Sequence, residues 1–337
     1  MKPIYIVSFA VALAAGCATG AEPLIVDKDD TTIKISRLSR PLLEYRYANV
    51  PFKPYVSRMW APPWPNLKLV SSVQVLRDSP SDHKHHHGLM FALEADGVDF
   101  WSETAKNGKQ LSRALDEPTT AADGAQFTQR LDWVATNGTV VLCERRHLFV
   151  HNTQEQGATL LTWRSRLSTG PNREVVNLTG HHYFGLGARF LQGMDKVGEF
   201  INATGQPGET VRGDERLVAA KWCAYTAQAD TTDMEIKPPT IAVSSGAGLT
   251  TATMDMPVTI AMFDDPKNPR HPAKMFTMSK PFAYLSATLN LWKEPMELKC
   301  GSELDLCYGF AVCDGKLSAA DIEKLYQRWL TLRSACK

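Results

Sequence analysis

Short runs rich in β-branched and aromatic residues recur along this chain: TIKIS, LLEYRYA, KLVSSVQVL, AQFTQRLDWVA, TVVLCERRHLFVH, ATLLTWRSRLS, EVVNLTGHHYFGLGARF, VTIAMFDD and ELDLCYGFAV. Gly, Pro, Asn and Asp separate them, and no helical periodicity is interleaved. Strands at this spacing predict an all-β antiparallel sandwich, because the connections are too short and too polar for crossover helices. The segment VLCERRHLFVHNTQEQGATLLTWRSRL reads as one long antiparallel hairpin with NTQEQG at its tip. Only the C-terminus carries a helical signature, over about 318–334: Ser318 as cap, Asp321 in the first turn, and Ile322, Leu325, Tyr326, Trp329 and Leu330 on one stripe. No repeat or Pro/Gly linker divides residues 22–337, which are expected to form a single domain.

The first residues, MKPIYIVSFAVALAAGC, combine Lys2, an apolar run and small residues, the pattern of a secretory signal peptide over 1–21. Two processing routes stay open. Ala14-Ala15-Gly16-Cys17 resembles a lipoprotein box with Ala where Leu is preferred, which would tether the protein to the outer membrane through lipidated Cys17; Thr19-Gly20-Ala21 reads as an ordinary cleavage site. Either route predicts a periplasmic or extracellular protein. No later window approaches the roughly 18 apolar residues of a membrane-spanning helix. Lys+Arg of 37 against Asp+Glu of 36 supplies no field to collect nucleic acid. In an oxidising compartment, disulfides are expected among Cys300, Cys307, Cys313 and Cys336, and no zinc-type cysteine spacing occurs.

Chemistry concentrates in SDHKHHHGLMFALEADGVDFWSE, residues 81–103, where four histidines fall within five positions. Were this one strand, alternation would place His83, His85 and His87 on one face and His86 with Lys84 on the other; but Gly88 precedes LMFAL, which reads as the buried strand proper, so the histidines are expected at its mouth. Such a set can ligate a divalent metal, with Glu94, Asp99 or Glu103 completing it, or can transfer protons near neutral pH. The cupin spacing of His-x-His followed closely by Glu is not met, so no cofactor is expected and a divalent metal stays the alternative. Asp99, Trp101 and Glu103 alternate along VDFWSE, and a carboxylate beside an indole suits a sugar, whose C–H face meets the ring while its hydroxyls meet the carboxylate. A second histidine group, TGHHYFGLGARF, offers His181 and Tyr183 on one strand face, with Arg189 directed to the same cleft. The loop FDDPKNPRHPAK presents Asn268, Arg270 and His271 on a proline-braced frame, with Arg270 as a bidentate grip. In WAPPWPN, Trp60 and Trp64 either stack on a ligand or cover the sandwich edge. No Gly-x-Ser-x-Gly elbow, P-loop or His-Glu-x-x-His occurs, which weighs against serine hydrolases, NTPases and metallopeptidases.

Together, Asp82-His83-Lys84-His85-His86-His87-Gly88, Val98-Asp99-Phe100-Trp101-Ser102-Glu103, Lys221-Trp222 and Asp265-Pro266-Lys267-Asn268-Pro269-Arg270-His271-Pro272 resemble the bacterial "PmoA family" of secreted proteins of unknown function, over about residues 40–315. The departures are His87, where that family usually has Arg, and Lys84, where Pro is common; they leave the role of His87 open. The label "methane oxygenase" that goes with the family is at odds with a chain lacking a spanning segment. The resemblance implies a galactose-mutarotase-like supersandwich whose concave cleft takes a saccharide or sugar acid. The expectation is a carbohydrate-active protein, a lyase, epimerase or glycosidase. Its acid/base residues would be His86 with His83 or His85, and Glu103 or His181 as partner. Asp82, Asp99, Trp101, Tyr183, Arg189, Asn268, Arg270 and His271 would line the site. A non-catalytic glycan-binding protein and a metalloprotein are the alternatives.

Overall fold

A computed structural model describes residues 22–38, 40–62, 73–76, 83–153, 157–228, 241–245, 248–252 and 257–333. Two large antiparallel sheets dominate. The eleven-stranded sheet runs Leu24–Lys28, Thr32–Arg37, Arg40–Arg46, Tyr55–Ala61, Leu89–Ala92, Gly185–Arg189, Tyr284–Thr288, Lys274–Met278, Glu215–Ala219 and Glu209–Arg212, with Val73–Gln74 paired to the fourth strand. The nine-stranded sheet runs Thr119–Ala121, Gly124–Val134, Val140–His151, Ala158–Thr169, Leu304–Asp314, Pro257–Asp264, Trp222–Gln228 and Glu199–Asn202, with Lys109–Leu115 on Gly124–Val134. Smaller sheets of four and two strands complete the described residues. The architecture is the expected all-β sandwich, and one continuous apolar cluster runs through strands of both large sheets, from Ile33 and Tyr45 to Trp163 and Val312.

The predicted long hairpin forms, with register from Leu142↔Thr169 to His151↔Leu160. The C-terminal helix spans Ala319–Leu332, and Ser318 Oγ accepts the Asp321 N–H at 3.2 Å, satisfying a first-turn donor. Its stripe of Ile322, Leu325, Tyr326 and Trp329 is buried against Ala158, Leu160, Phe263 and Ala311 of the nine-stranded sheet. Trp329 Nε1 donates to Thr162 Oγ1 at 2.9 Å. Gly309 permits this docking, since a Cβ there would lie 2.7 Å from the Trp329 ring.

The histidines sit in a turn at the mouth of a strand, as expected: the His86 N–H bonds His83 C=O at 2.9 Å, and the strand begins at Leu89. Two expectations are corrected. EVVNLTGHHYFGLGARF breaks into Val175–Thr179 and Gly185–Arg189, with the Phe184 N–H bonding His181 C=O at 3.1 Å between them. The described cysteines Cys143, Cys223, Cys300, Cys307 and Cys313 form no disulfide with one another. Cys307 and Cys313 share the strand Leu304–Asp314, where six residues separate Cα atoms by about 20 Å, far beyond the roughly 7 Å limit of a disulfide. Cys17, Trp64, Asp82 and Cys336 lie outside the described residues, while Trp60 is a buried strand residue paired with Gln74. No helix among the described residues is long and apolar enough to cross a membrane.

Candidate active site

A cleft of about 550 Å³ opens on the half of the eleven-stranded sheet that ends in the Glu209–Arg212/Glu215–Ala219 hairpin. Cross-strand register places Met278 opposite Tyr284 and Phe276 opposite Leu217, so Phe276, Met278, Tyr284 and Glu215 share one face. These four line the cleft, together with the turn histidines His83, His85 and His86, with Tyr183, and with Arg212 and Lys280. Such a volume falls within the usual range of small-molecule sites.

The turn decides how the histidines cluster. The His85 and His86 rings meet edge to face at 4.4 Å, with His83 5.2 Å from His86 and 5.9 Å from His85. His86 is buried; desolvation first, then the positive fields of His85, His83, Arg189 and Lys53, hold its imidazole well below the ordinary range. Burial and Lys53 lower His85 as well. Both rings are therefore neutral at pH 7 and able to accept a proton. His86 Nδ1, Tyr284 Oη and Trp101 Nε1 are buried with no hydrogen-bond partner among the described residues. The His86 ring lies 5.1 Å from that of Tyr284 and 6.1 Å from that of Trp101. A buried polar atom is normally hydrogen-bonded, so three of them together leave room for a ligand or an ordered water to bond there. Tyr284 also leans over Gly187, where a Cβ would fall 1.7 Å from the hydroxyl, so only glycine allows that phenol position.

His87 turns the other way. It stacks on Tyr55 at 4.2 Å, and its Nε2–H donates to Glu103 Oε1 at 2.7 Å. Lys53, fully buried, donates to the same oxygen at 2.6 Å and to Trp101 C=O at 2.8 Å. Burial pulls Lys53 below the ordinary lysine range; it would push Glu103 up, but the His87 bond and the Lys53 charge outweigh it and leave Glu103 lowered. Glu103 is thus a carboxylate held under the histidine turn by Lys53 and His87. The expected metal set of His83, His85 and His87 is not assembled, since alternation fails in a turn, and no group of three His, Cys, Asp or Glu arranged to hold a metal is found among the described residues.

Other expected residues hold the scaffold. Asp99 Oδ1 accepts the N–H groups of Trp101 and Ser102 at 2.6 and 3.0 Å, ending its strand after two residues. Trp101 therefore enters the core, 1% exposed and stacked on Phe184 at 5.0 Å. Arg189 grips Asp195 through both terminal nitrogens at 2.6 and 2.9 Å and backs the cleft wall, its guanidinium 4.4 Å from the Phe282 ring. His181 is exposed and stacked on Tyr183 at 5.7 Å, outside the cleft lining. The FDDPKNPRHPAK loop closes on itself: Asn268 bonds Asp264 and the Cys307 backbone, and His271 bonds Asp264 at 2.7 Å. Arg270 spends its guanidinium on the carbonyls of Leu289 and Glu294 at 2.8 and 2.5 Å. Arg212, Glu215, Lys280 and Tyr284 were not anticipated. Glu215 is buried, held by Arg212 at 2.7 Å and by His182 at 3.0 Å. The only trace in the sequence was RGDE, a turn signal that gives no hint of what it faces.

A family model described as "Family of unknown function (DUF6807)" matches residues 32–327. The chain belongs to this family. No curated protein matches it. Among solved structures, it is similar to several enzymes at low identity. The GH36 α-galactosidase AgaA of Geobacillus stearothermophilus in complex with raffinose matches at 9% identity and a TM-score of 0.40, over 90% of this chain and 42% of that one. An α-galactosidase from Lactobacillus brevis matches at 9% identity and a TM-score of 0.43, over 92% and 41%. The heparan sulfate lyase HepC of Pedobacter heparinus matches at 6% identity and a TM-score of 0.34, over 89% and 36%. This DUF6807 chain spans about two fifths of those enzymes' lengths.

Proposed function

We propose that the protein is exported to the periplasm or beyond, binds a saccharide in the cleft, and moves a proton on it with a neutral histidine, as a lyase or an epimerase does. The observation that carries this reading is His86: buried at the cleft wall, kept neutral, and set beside Tyr284, with the inner polar atoms of both rings unpartnered among the described residues. A neutral imidazole is a competent base, and burial keeps the Tyr183 hydroxyl protonated and able to donate. His86, with His85 beside it, would take a proton from a ring carbon; Tyr183 would return one to the opposite face or to a departing oxygen.

Two-carboxylate hydrolysis fits less well. It needs one carboxyl free to donate and a second about 5–9 Å away. Here Glu215 is engaged on both oxygens, Asp214 accepts Ser279 Oγ at 2.7 Å, and Glu103 is fixed by Lys53 and His87.

The test is proton exchange. Neutral and uronic-acid oligosaccharides are incubated with the protein in D₂O and followed by proton NMR. Lyase and epimerase chemistry alike predict loss of a carbon-bound proton signal or its replacement by deuterium, abolished in His86→Asn. A saccharide that binds with no exchange and no product would make the protein a glycan-binding module, and the absence of any saccharide binding would end the reading.

A further inference from the structure

Trp292 is the one aromatic among the exposed large apolar side chains of the described residues, 36% exposed. It follows the cleft strand Tyr284–Thr288 by four residues. Its indole lies 5.6 Å from the His182 ring, and His182 in turn meets Tyr183 at 5.0 Å, Phe276 at 5.5 Å and Glu215 by a hydrogen bond. Tyr183, Phe276 and Glu215 all line the cleft. Trp292 is therefore one side chain beyond the cleft wall, on its rim.

An exposed indole is usually uninformative when its loop is loose, but this loop is fastened. The N–H groups of Lys293 and Glu294 bond Asn290 C=O at 3.2 and 3.0 Å, and Asn290 Nδ2 donates to Glu294 Oε1 at 2.9 Å. Arg270 reaches in from another loop and ties the carbonyls of Leu289, Glu294 and Pro295. A buried or half-buried guanidinium spent on three carbonyls of one short loop holds that loop's shape, and a rigid aromatic loses little conformational freedom when a ligand arrives. The Lys293 ammonium, 4.8 Å from the indole centre on a half-exposed side chain, is a solvent-level contact that a ligand displaces at low cost.

We infer that Trp292 is a second subsite, a stacking platform for an outer sugar ring of an oligosaccharide whose inner ring occupies the cleft, with Arg270 as the positioning residue for that platform. The inference rests on the saccharide reading of the cleft and adds that the ligand has two or more rings. An indole face presents apolar area to the C–H face of a pyranose, so a ring that reaches it gains a contact that shorter ligands lack.

The experiment measures dissociation constants by calorimetry for malto-, cello-, galacto- and galacturono-saccharides, each from the monosaccharide to the tetrasaccharide. In the series that binds, Trp292→Ala is expected to weaken the longer members 3- to 10-fold and leave the monosaccharide within twofold. Trp292→Phe restores most of the loss. Arg270→Met gives the same length-dependent loss with an unchanged monosaccharide, and for a turned-over substrate raises KM without lowering kcat. If saccharides bind and Trp292→Ala acts equally at every length, or not at all, the subsite is overturned while the cleft reading stands. If no series binds the wild-type protein, the cleft reading itself fails.

Discussion

Glu103→Gln tests whether the carboxylate under the histidine turn is scaffold or catalyst. The side chains of Lys53 and Glu103 are 0% and 8% exposed, and they meet at 2.6 Å. Glutamine preserves shape and can still accept one hydrogen bond, but it removes the charge that balances a fully buried ammonium. Removing one partner of such a pair costs about 3–5 kcal/mol, and the retained amide oxygen places the expected loss near the lower end, ~3 kcal/mol. Lys53→Met strands the carboxylate with only His87 and should cost a similar amount. The double variant removes both charges, so it should be more stable than the sum of the single losses predicts, by ~2 kcal/mol or more of coupling. Urea denaturation at pH 7 by circular dichroism, with the dependence on denaturant unchanged among variants, measures all three. If Glu103→Gln cost under ~1 kcal/mol, or if the two losses simply added, the pair would not be holding the turn. Full stability with abolished turnover would return Glu103 to the catalytic role its sequence position first suggested.

Three further outcomes follow from the same geometry. Gly187→Ala puts a methyl 1.7 Å from the Tyr284 hydroxyl and should cost ~1–3 kcal/mol while displacing the phenol and weakening saccharide affinity; unchanged stability and binding would remove Tyr284 from the site. His151, 2% exposed and bonded to Thr162 at 2.7 Å, is lowered to about 3 by burial and by Arg328. The unfolded chain takes up its proton near pH 6.5 while the native state does not, so stability is full above that pH and falls as pH drops towards 3, by at most ~5 kcal/mol; His151→Gln should flatten that slope in pH-dependent denaturation. Because His85 and His86 are both lowered, the acid limb of kcat/KM should lie below pH 6.5, and a limb at or above pH 7 would assign the base elsewhere.

Elements whose pattern extends over ten residues were legible. The hairpin Val140–His151/Ala158–Thr169 and the helix Ala319–Leu332 repeat one periodicity long enough for each element to be read from residue order alone. The place of the histidines at a strand mouth was legible too, but their directions were not, because the chain turns at His83–His86, which brings His85 and His86 together and sends His87 to the opposite side. VDFWSE failed for a related reason: Asp99 accepts the next N–H groups and ends the strand, so Trp101 goes to the core.

Arg270 shows the limit most sharply. A proline-braced loop with an arginine and an acid suggested a substrate grip, and nothing in those residues reveals that their hydrogen bonds are consumed by backbone carbonyls some twenty positions later. Conversely, Arg212 and Glu215 sit in an ordinary-looking hairpin and reach the cleft only because the sheet order places their strands beside Lys274–Met278. Side-chain type announces what chemistry is available, but partner assignment is a long-range property of the sheet. A guanidinium with three of its N–H groups turned to carbonyls has less left for a ligand, whereas an imidazole and a phenol whose inner polar atoms have no partner among the described residues keep that capacity. That difference moves the candidate chemistry from the Arg270 loop to His86 and its neighbours, and leaves Arg270 the task of holding Trp292 at the rim.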